Sequence, residues 1–171
     1  MVTKKTRILR TLWYVFCVLY VCVMLWLLFF MRLDTAVSNF QKMKSYGWAL
    51  SRHFDPLPGE VIIPSVKRVF THPLSDAKTF RELRNLVGNV VLFVPLGWIL
   101  PYFLPSARKT KGFLLSAAAL ILLVEFTQAF TLLGFCDFDD LLLNVLGGWI
   151  GFILLSVLRK RKKKQKGPDS L

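Results

Sequence analysis

The residues best suited to chemistry are carboxylates and carboxamides within or beside long apolar runs. Glu125 and Gln128 are one helical turn apart in one such run, so they share a helix face. Ionisable groups at membrane depth are costly and usually mark a functional site. The alternative is that such side chains only join helices through hydrogen bonds. The candidate site residues, read as one ligand-binding polar pocket, are Asn89, Glu125, Gln128, Asp137, Asp139, Asp140 and Asn144.

The chemistry open to this set is limited to oxygen and amide groups. Oxygen ligands suit a hard divalent cation such as Mg²⁺ or Ca²⁺, for which Glu125, Asp139 and Asp140 are the candidate ligands. Asp139 and Asp140 also stand at a predicted helix start, where at least one could serve only as a cap. No nucleophile stands beside a base, since Ser116 is the only serine in its run and has no histidine nearby in sequence. The sequence therefore offers no candidate catalytic residue.

The apolar runs themselves predict an all-α membrane protein. Of 171 residues, 54% are hydrophobic, which is too apolar for a soluble domain of this size. Four runs are long enough to span a bilayer as helices. They predict one domain over 1–171, with transmembrane helices at 8–31, 86–104, 113–133 and 139–158. A long outer loop at 32–85 would join the first two helices of this four-helix bundle.

Local patterns add detail to this outline. Apolar residues at helical spacing predict a short amphipathic helix within 38–50. The stretch 61–64 predicts a brief strand or a membrane-dipping turn, and His53 and His72 are expected to be solvated loop residues. Pro95 should kink the second transmembrane helix near residue 91, because it removes a backbone donor.

Two glycines on the fourth transmembrane helix predict close packing. Gly147 and Gly151 are four residues apart, a spacing that permits close backbone contact with a neighbouring helix. With Asp140 and Asn144 they form one stripe along the helix, polar at its start and small-sided after it.

Basic residues predict the orientation in the cell membrane. They concentrate at 4–10, in the turn 107–112 and in the tail 159–171, which the four-helix arrangement places on one side. The positive-inside rule makes that side cytoplasmic, with both termini inside. The runs abut apolar segments and lack interleaved aromatics, so anionic lipid headgroups rather than nucleic acid are the expected partners. The polar candidates then lie in the outer half of the bilayer, at one depth and open toward the outer leaflet.

Several short motifs together resemble the VanZ-like family of bacterial membrane proteins. The matching pieces are Asn85-Leu86-Val87-Gly88-Asn89, Phe93-Val94-Pro95-Leu96-Gly97, Glu125-x-x-Gln128, and Asp137-Phe138-Asp139-Asp140-Leu141-Leu142-Leu143-Asn144-Val145-Leu146-Gly147-Gly148 with Gly151. Each is weak alone, but their order and spacing are specific, and the resemblance covers about 61–158.

The chain departs from the family pattern in two places. Many members carry an arginine just before the aspartate block, where this chain has Gly134-Phe135-Cys136. Many also read Asn-Leu-Ile-Pro-Phe in the outer loop, where this chain has Val61-Ile62-Ile63-Pro64-Ser65. If these positions contact a ligand, its identity differs here.

The resemblance implies a function in the cell envelope. The family is named for a protein that lowers sensitivity to the glycopeptide antibiotic teicoplanin, and so implies a role in antibiotic resistance. We expect a non-enzymatic protein whose outer-leaflet pocket binds the headgroup of a membrane lipid or a cell-wall lipid precursor. The alternative is a membrane-embedded enzyme that acts on a phosphorylated lipid with a divalent metal held by Glu125, Asp139 and Asp140. A proton-coupled transporter is less well supported, because paired interrupted helices in repeated halves are not evident.

Overall fold

The predicted all-α architecture with four membrane-spanning helices is confirmed. The structure is a computed structural model that describes residues 4–42, 45–51, 53–55, 57–134 and 136–165. Its helices long and apolar enough to cross a membrane are Thr6–Arg32, Ala77–Phe103, Thr110–Phe130 and Phe138–Arg161.

In the helix bundle, the last helix packs against both helices of the second span and against the helix of the third. The α-helices are α1 Lys4–Leu28, α2 Leu33–Lys42, α3 Tyr46–Ser51, α4 Ile62–Thr71, α5 Ala77–Phe93, α6 Leu96–Phe103, α7 Thr110–Phe130 and α8 Phe138–Gln165. Short 3-10 turns cover Phe30–Arg32 and Pro105–Arg108, and two-residue strands β1 Phe54–Asp55 and β2 Cys136–Asp137 pair in parallel. The basic tail continues α8 as far as Gln165, and residues 166–171 lie outside the described chain.

The segment predicted as a long outer loop is largely helical, so that part of the prediction is not confirmed. The expected amphipathic helix within 38–50 corresponds to parts of α2 and α3, and residues 43–44 between them lie outside the described chain. The prediction of a strand or turn at 61–64 is wrong, because α4 begins at Ile62. Pro64 falls in its first turn, where a missing N–H breaks no intrahelical hydrogen bond.

His53 is buried, so the prediction of a solvated loop histidine is wrong for this residue. Its exposed fraction is 6%, and its carbonyl accepts the Cys136 N–H at 2.7 Å. That bond continues the β1–β2 pairing and draws the outer segment against the turn before α8. His72 is exposed, as expected.

The second transmembrane segment consists of two helices, α5 and α6, separated at Val94–Pro95. The break lies close to the predicted kink and has the predicted cause. The Tyr20 hydroxyl of α1 donates to the Leu92 carbonyl at 3.0 Å beside the break. The Trp98 indole donates to the Gly151 carbonyl of α8 at 2.8 Å. Such bonds from neighbouring helices satisfy backbone groups that water cannot reach in a bilayer.

Small residues set the distance between α8 and the α5–α6 segment. A Cβ at Gly147 would collide with the Val90 carbonyl, and one at Gly151 with the Val94 carbonyl. Gly97 is equally close to the α8 backbone. Nearby, the rings of Phe113 and Phe152 stack with centroids 4.7 Å apart in the buried core. This tight crossing fixes the positions of the polar side chains one to two turns away on α5 and α8.

Candidate functional site

One end of the bundle brings most of the predicted site residues together. The C-terminal half of α7 supplies Glu125 and Gln128, and the first turns of α8 supply Asp140 and Asn144. Asn89 approaches from α5, and the end of α1 with its 3-10 turn completes the region. Four transmembrane segments therefore meet at this end of the bundle.

Glu125 and Asn144 form the most deeply buried polar pair. Each is only 3% exposed, and the Asn144 Nδ2 lies 3.5 Å from the Glu125 Oε1, a long contact. Within the described residues, the Glu125 Oε2 and the Asn144 Oδ1 are buried without a hydrogen-bond partner. Buried polar atoms of this kind cost free energy and are rare in native structures. The pair therefore has hydrogen-bonding capacity that contacts between helices do not use.

Asp140 and Asn89 form a second, more exposed pair. The Asn89 Nδ2 donates to the Asp140 Oδ1 at 2.6 Å, which links α5 to α8. Both side chains are partly exposed. Asp140 lies within electrostatic reach of Glu125, so two carboxylates share this region.

Gln128 joins two transmembrane helices. Its side chain is 1% exposed, and its Nε2 donates to the Leu28 carbonyl at the end of α1 at 2.8 Å. This contact fits the alternative role of a polar residue that holds transmembrane helices together.

Asp137 and Asp139 have structural roles that the sequence did not separate. The expectation that Asp139 or Asp140 caps α8 is not met: Asp137 does so, because its Oδ1 accepts the Asp139 N–H at 2.8 Å. Asp139 caps another helix instead. Its carboxylate, 1% exposed, accepts N–H groups from Gly59 at 2.6 Å and from Val61 and Ile62 at 2.8 Å each.

The Asp139 contact anchors an amphipathic helix beside the site. The accepted N–H groups lie in and before the first turn of α4, where a helix has no internal acceptors for them. On α4, Ile63 and Phe70 are exposed, the latter by 84%. An amphipathic helix with an exposed apolar face suits the membrane interface.

The three candidate metal ligands do not form a metal site. Both Asp139 oxygens already accept backbone N–H groups. In the part of the chain that the structure describes, no group of three or more His, Cys, Asp or Glu side chains is placed to hold a metal ion.

Arg32 is a site residue that the sequence interpretation missed. Its guanidinium lies against Gly134, where a Cβ would collide with it, and within electrostatic reach of Glu125 and Asp140. Gly134 belongs to the stretch where many VanZ-like proteins carry an arginine. Two sequence features together could have revealed Arg32. The first span ends in an arginine, and the arginine that many VanZ-like proteins carry before the aspartate block is missing.

A cleft of about 370 Å³ opens beside these groups, between the end of α1 and α5. Arg32, Arg84, Asn85 and Asn89 line it with polar groups, and apolar side chains including Leu28 and Leu92 complete the wall. Asn85 was also absent from the predicted site, although it precedes Asn89 by one helical turn. The cleft thus combines two cations and two amides with a lipid-like lining.

This fold and site define a multi-pass membrane protein with a buried polar cluster at one end of a four-helix bundle. A model of the VanZ/LLP1 family matches residues 16–159, which include every span at least in part and the whole site. The chain belongs to the VanZ/LLP1 family. Searches of curated proteins and of solved structures each gave no significant match.

Proposed function

We propose that this VanZ/LLP1-family protein binds the phosphate-bearing headgroup of a membrane lipid or a cell-wall lipid precursor in the cleft between α1 and α5. Binding there would lower the sensitivity of the cell to teicoplanin-type glycopeptides by altering what they reach at the outer surface. By the positive-inside rule, the basic end of the bundle faces the cytoplasm and the cleft faces the outer leaflet.

The composition of the cleft carries the proposal. Arg32 and Arg84 at its polar end suit a phosphate, since guanidinium groups bind phosphate oxygens through paired hydrogen bonds. Asn85 and Asn89 offer donors and acceptors for a sugar or glycerol. Leu28 and Leu92 offer a surface for the start of an acyl or prenyl chain. A soluble anion would not need this apolar wall.

Glu125 and Asn144 do not line the cleft, but Glu125 lies within electrostatic reach of Asp140, which accepts a hydrogen bond from Asn89 on the cleft wall. A hydroxyl-rich headgroup would satisfy their unpartnered oxygens, which the described protein groups leave unbonded. Asn89 and Asp140 connect the cleft to Glu125 and Asn144, since Asn89 lines the cleft and Asp140 lies near Glu125. This region would therefore select headgroups with hydroxyl donors.

Binding without catalysis is the function that the side chains favour. Asp139, a ligand in the metal-dependent alternative, has both carboxylate oxygens bonded to the start of α4. Glu125 and Asp140 would remain, and each already faces an amide group of the protein, Asn144 for Glu125 and Asn89 for Asp140.

The experiment is a teicoplanin susceptibility test of bacteria that produce the protein. Production should raise tolerance above that of cells with an empty vector. Glu125→Gln should return tolerance to the empty-vector level at unchanged membrane yield, because the amide preserves size and hydrogen bonding but removes the carboxylate.

The matched control is Glu82→Gln, the same chemical change on α5 outside the cleft. Glu82 pairs with Arg68 of α4 at 3.3 Å, so this variant loses a partly buried ion pair remote from Glu125 and should retain tolerance. Full tolerance in Glu125→Gln, or equal loss in both variants, would count against the proposal.

A further inference from the structure

A second cleft lies at the opposite end of the bundle, between the start of α7 and the C-terminal part of α8. Its volume is about 610 Å³. Arg108, Lys109 and Lys160 line one end, and Trp149, Ile153 and Val157 line its apolar part. None of the described residues that line it is acidic. We propose that this cleft is a specific binding site for an anionic phospholipid of the leaflet on the basic side of the membrane.

The charge of the cleft selects the headgroup. Its three basic residues are exposed and come from two separate segments, residues 108–109 just before α7 and the C-terminal part of α8. Basic residues near the surface attract anionic lipid, and several that converge on one phosphate bind it more tightly than an even distribution would. A zwitterionic headgroup carries its own positive charge, which would repel these basic residues, so it would bind less well.

The length of the apolar part matches one leaflet. From Lys160 to Trp149 the helix rises by about 16 Å, close to the half-thickness of roughly 15 Å of a bilayer's hydrocarbon core. Trp149, Ile153 and Val157 are all exposed along this length. Phe152 lies beneath them and stacks on Phe113, which gives the groove a rigid floor. One acyl chain could lie along α8 while its phosphate contacts the basic end.

This proposal does not depend on the outer cleft. The polar cluster occupies the first turns of α8, whereas the basic cleft lies beside its last turns. The two sites can therefore succeed or fail independently.

The test uses the full-length protein in phosphatidylcholine nanodiscs that contain a small fraction of phosphatidylglycerol with a photoreactive diazirine on its acyl chain. After illumination, mass spectrometry should find the label on peptides covering 149–157. Excess unlabelled phosphatidylglycerol should compete and excess phosphatidylcholine should not. This competition requires no variant.

The variant for the same test is Arg108→Gln/Lys109→Gln/Lys160→Gln, which should weaken labelling on the order of 100-fold, since each basic residue near a membrane surface contributes about fivefold. Its matched control is Lys4→Gln/Arg7→Gln/Arg10→Gln, which removes three exposed charges from the start of α1. That segment is at the same end of the bundle. The ring centroids of Tyr14 on α1 and Tyr102 at the end of α6 are 6.1 Å apart, and α6 leads into the turn that carries Arg108.

The control should keep its labelling at 149–157. Equal labelling of the two triple variants, equal competition by both lipids, or label spread evenly over the exposed helix faces would overturn the proposal.

Discussion

The Asp139 carboxylate accepts the backbone N–H of Ile62 at 2.8 Å and so joins two segments 77 residues apart in sequence. With the bonds from Gly59 and Val61, it fixes the start of α4 to the start of α8. The most deeply buried aspartate of the cluster is therefore an anchor for the outer segment. Of the predicted site residues, Asn89, Glu125, Asp140 and Asn144 remain as groups that can meet a ligand.

Asp139→Ala should destabilise the protein, because it leaves three backbone N–H groups without their acceptor. Each unsatisfied buried group costs about 1–3 kcal/mol, although water reaching the loosened turn will reduce the sum. Thermal unfolding in detergent should show a lower Tm. Limited proteolysis should cut the segment 57–72 sooner than in the wild type.

Asp139→Asn is the graded partner of that variant, since the amide retains one acceptor oxygen. Its stability should fall between those of the wild type and Asp139→Ala. If Asp139→Ala unfolds at the wild-type temperature with unchanged proteolysis, the anchor contributes nothing and Asp139 is free for another role.

Gly147→Ala and Gly151→Ala should each impair folding, because a single methyl group would meet a backbone carbonyl of the facing segment. Overpacking of this kind lowers the free energy of unfolding by about 1–3 kcal/mol. The upper end is expected here, because the atom that each methyl group meets belongs to the backbone and cannot move aside as a side chain can. Membrane yield and thermal stability both measure the effect.

Gly88→Ala is the matched control, since a Cβ there meets no other atom within 4 Å. It should be neutral or stabilise α5 by about 0.5–1 kcal/mol, as alanine favours the helix over glycine. Equal stability of all three variants would show that α8 does not cross α5–α6 as closely as described.

The spans and the meeting of Glu125 with Asn144 were predictable, because both follow from helical periodicity and bilayer thickness. Residues one turn apart must share a face, and helix lengths near that of the bilayer place polar groups at similar depth. The Pro95 break was predictable for the same local reason, the loss of one backbone donor.

The roles of Asp139 and Arg32 were not predictable, because they depend on contacts between distant segments. Asp139 caps α4, and nothing at the start of α8 indicates that a carboxylate there will bond residues 59–62. Arg32 lies against Gly134, a residue 102 positions later in the sequence. Burial of His53 likewise depends on β1–β2 pairing, and two-residue strands are too short to show a sequence period.

Cys136 should report which side of the membrane the site faces. Burial raises the pKa of the Cys136 thiol, and the nearby Glu125 carboxylate raises it further. A membrane-impermeant thiosulfonate added to intact cells should therefore label it slowly near pH 7. The rate should increase about tenfold per pH unit while the pH stays below that pKa, because the thiolate is the reacting form.

Cys136→Ser should abolish this labelling, since Cys17 is buried and Cys22 lies within the first transmembrane helix. Labelling only after the cells are opened would place this end of the bundle in the cytoplasm and reverse the proposed orientation.

The central claim is that the outer cleft binds a phosphorylated lipid through Arg32. Native mass spectrometry of the purified full-length protein, titrated with a polyprenyl phosphate, measures this most directly. The protein used for this titration carries Arg108→Gln/Lys109→Gln/Lys160→Gln, so that lipid binding in the basic cleft at the other end does not add to the measured affinity.

In that background, Arg32→Gln should weaken binding by roughly 10- to 100-fold, the value of a hydrogen bond to a charged group. Adding Gly134→Arg should restore part of it, because its side chain starts beside the position of the Arg32 guanidinium and returns a cation to this end of the cleft. Unchanged affinity in Arg32→Gln would contradict the account.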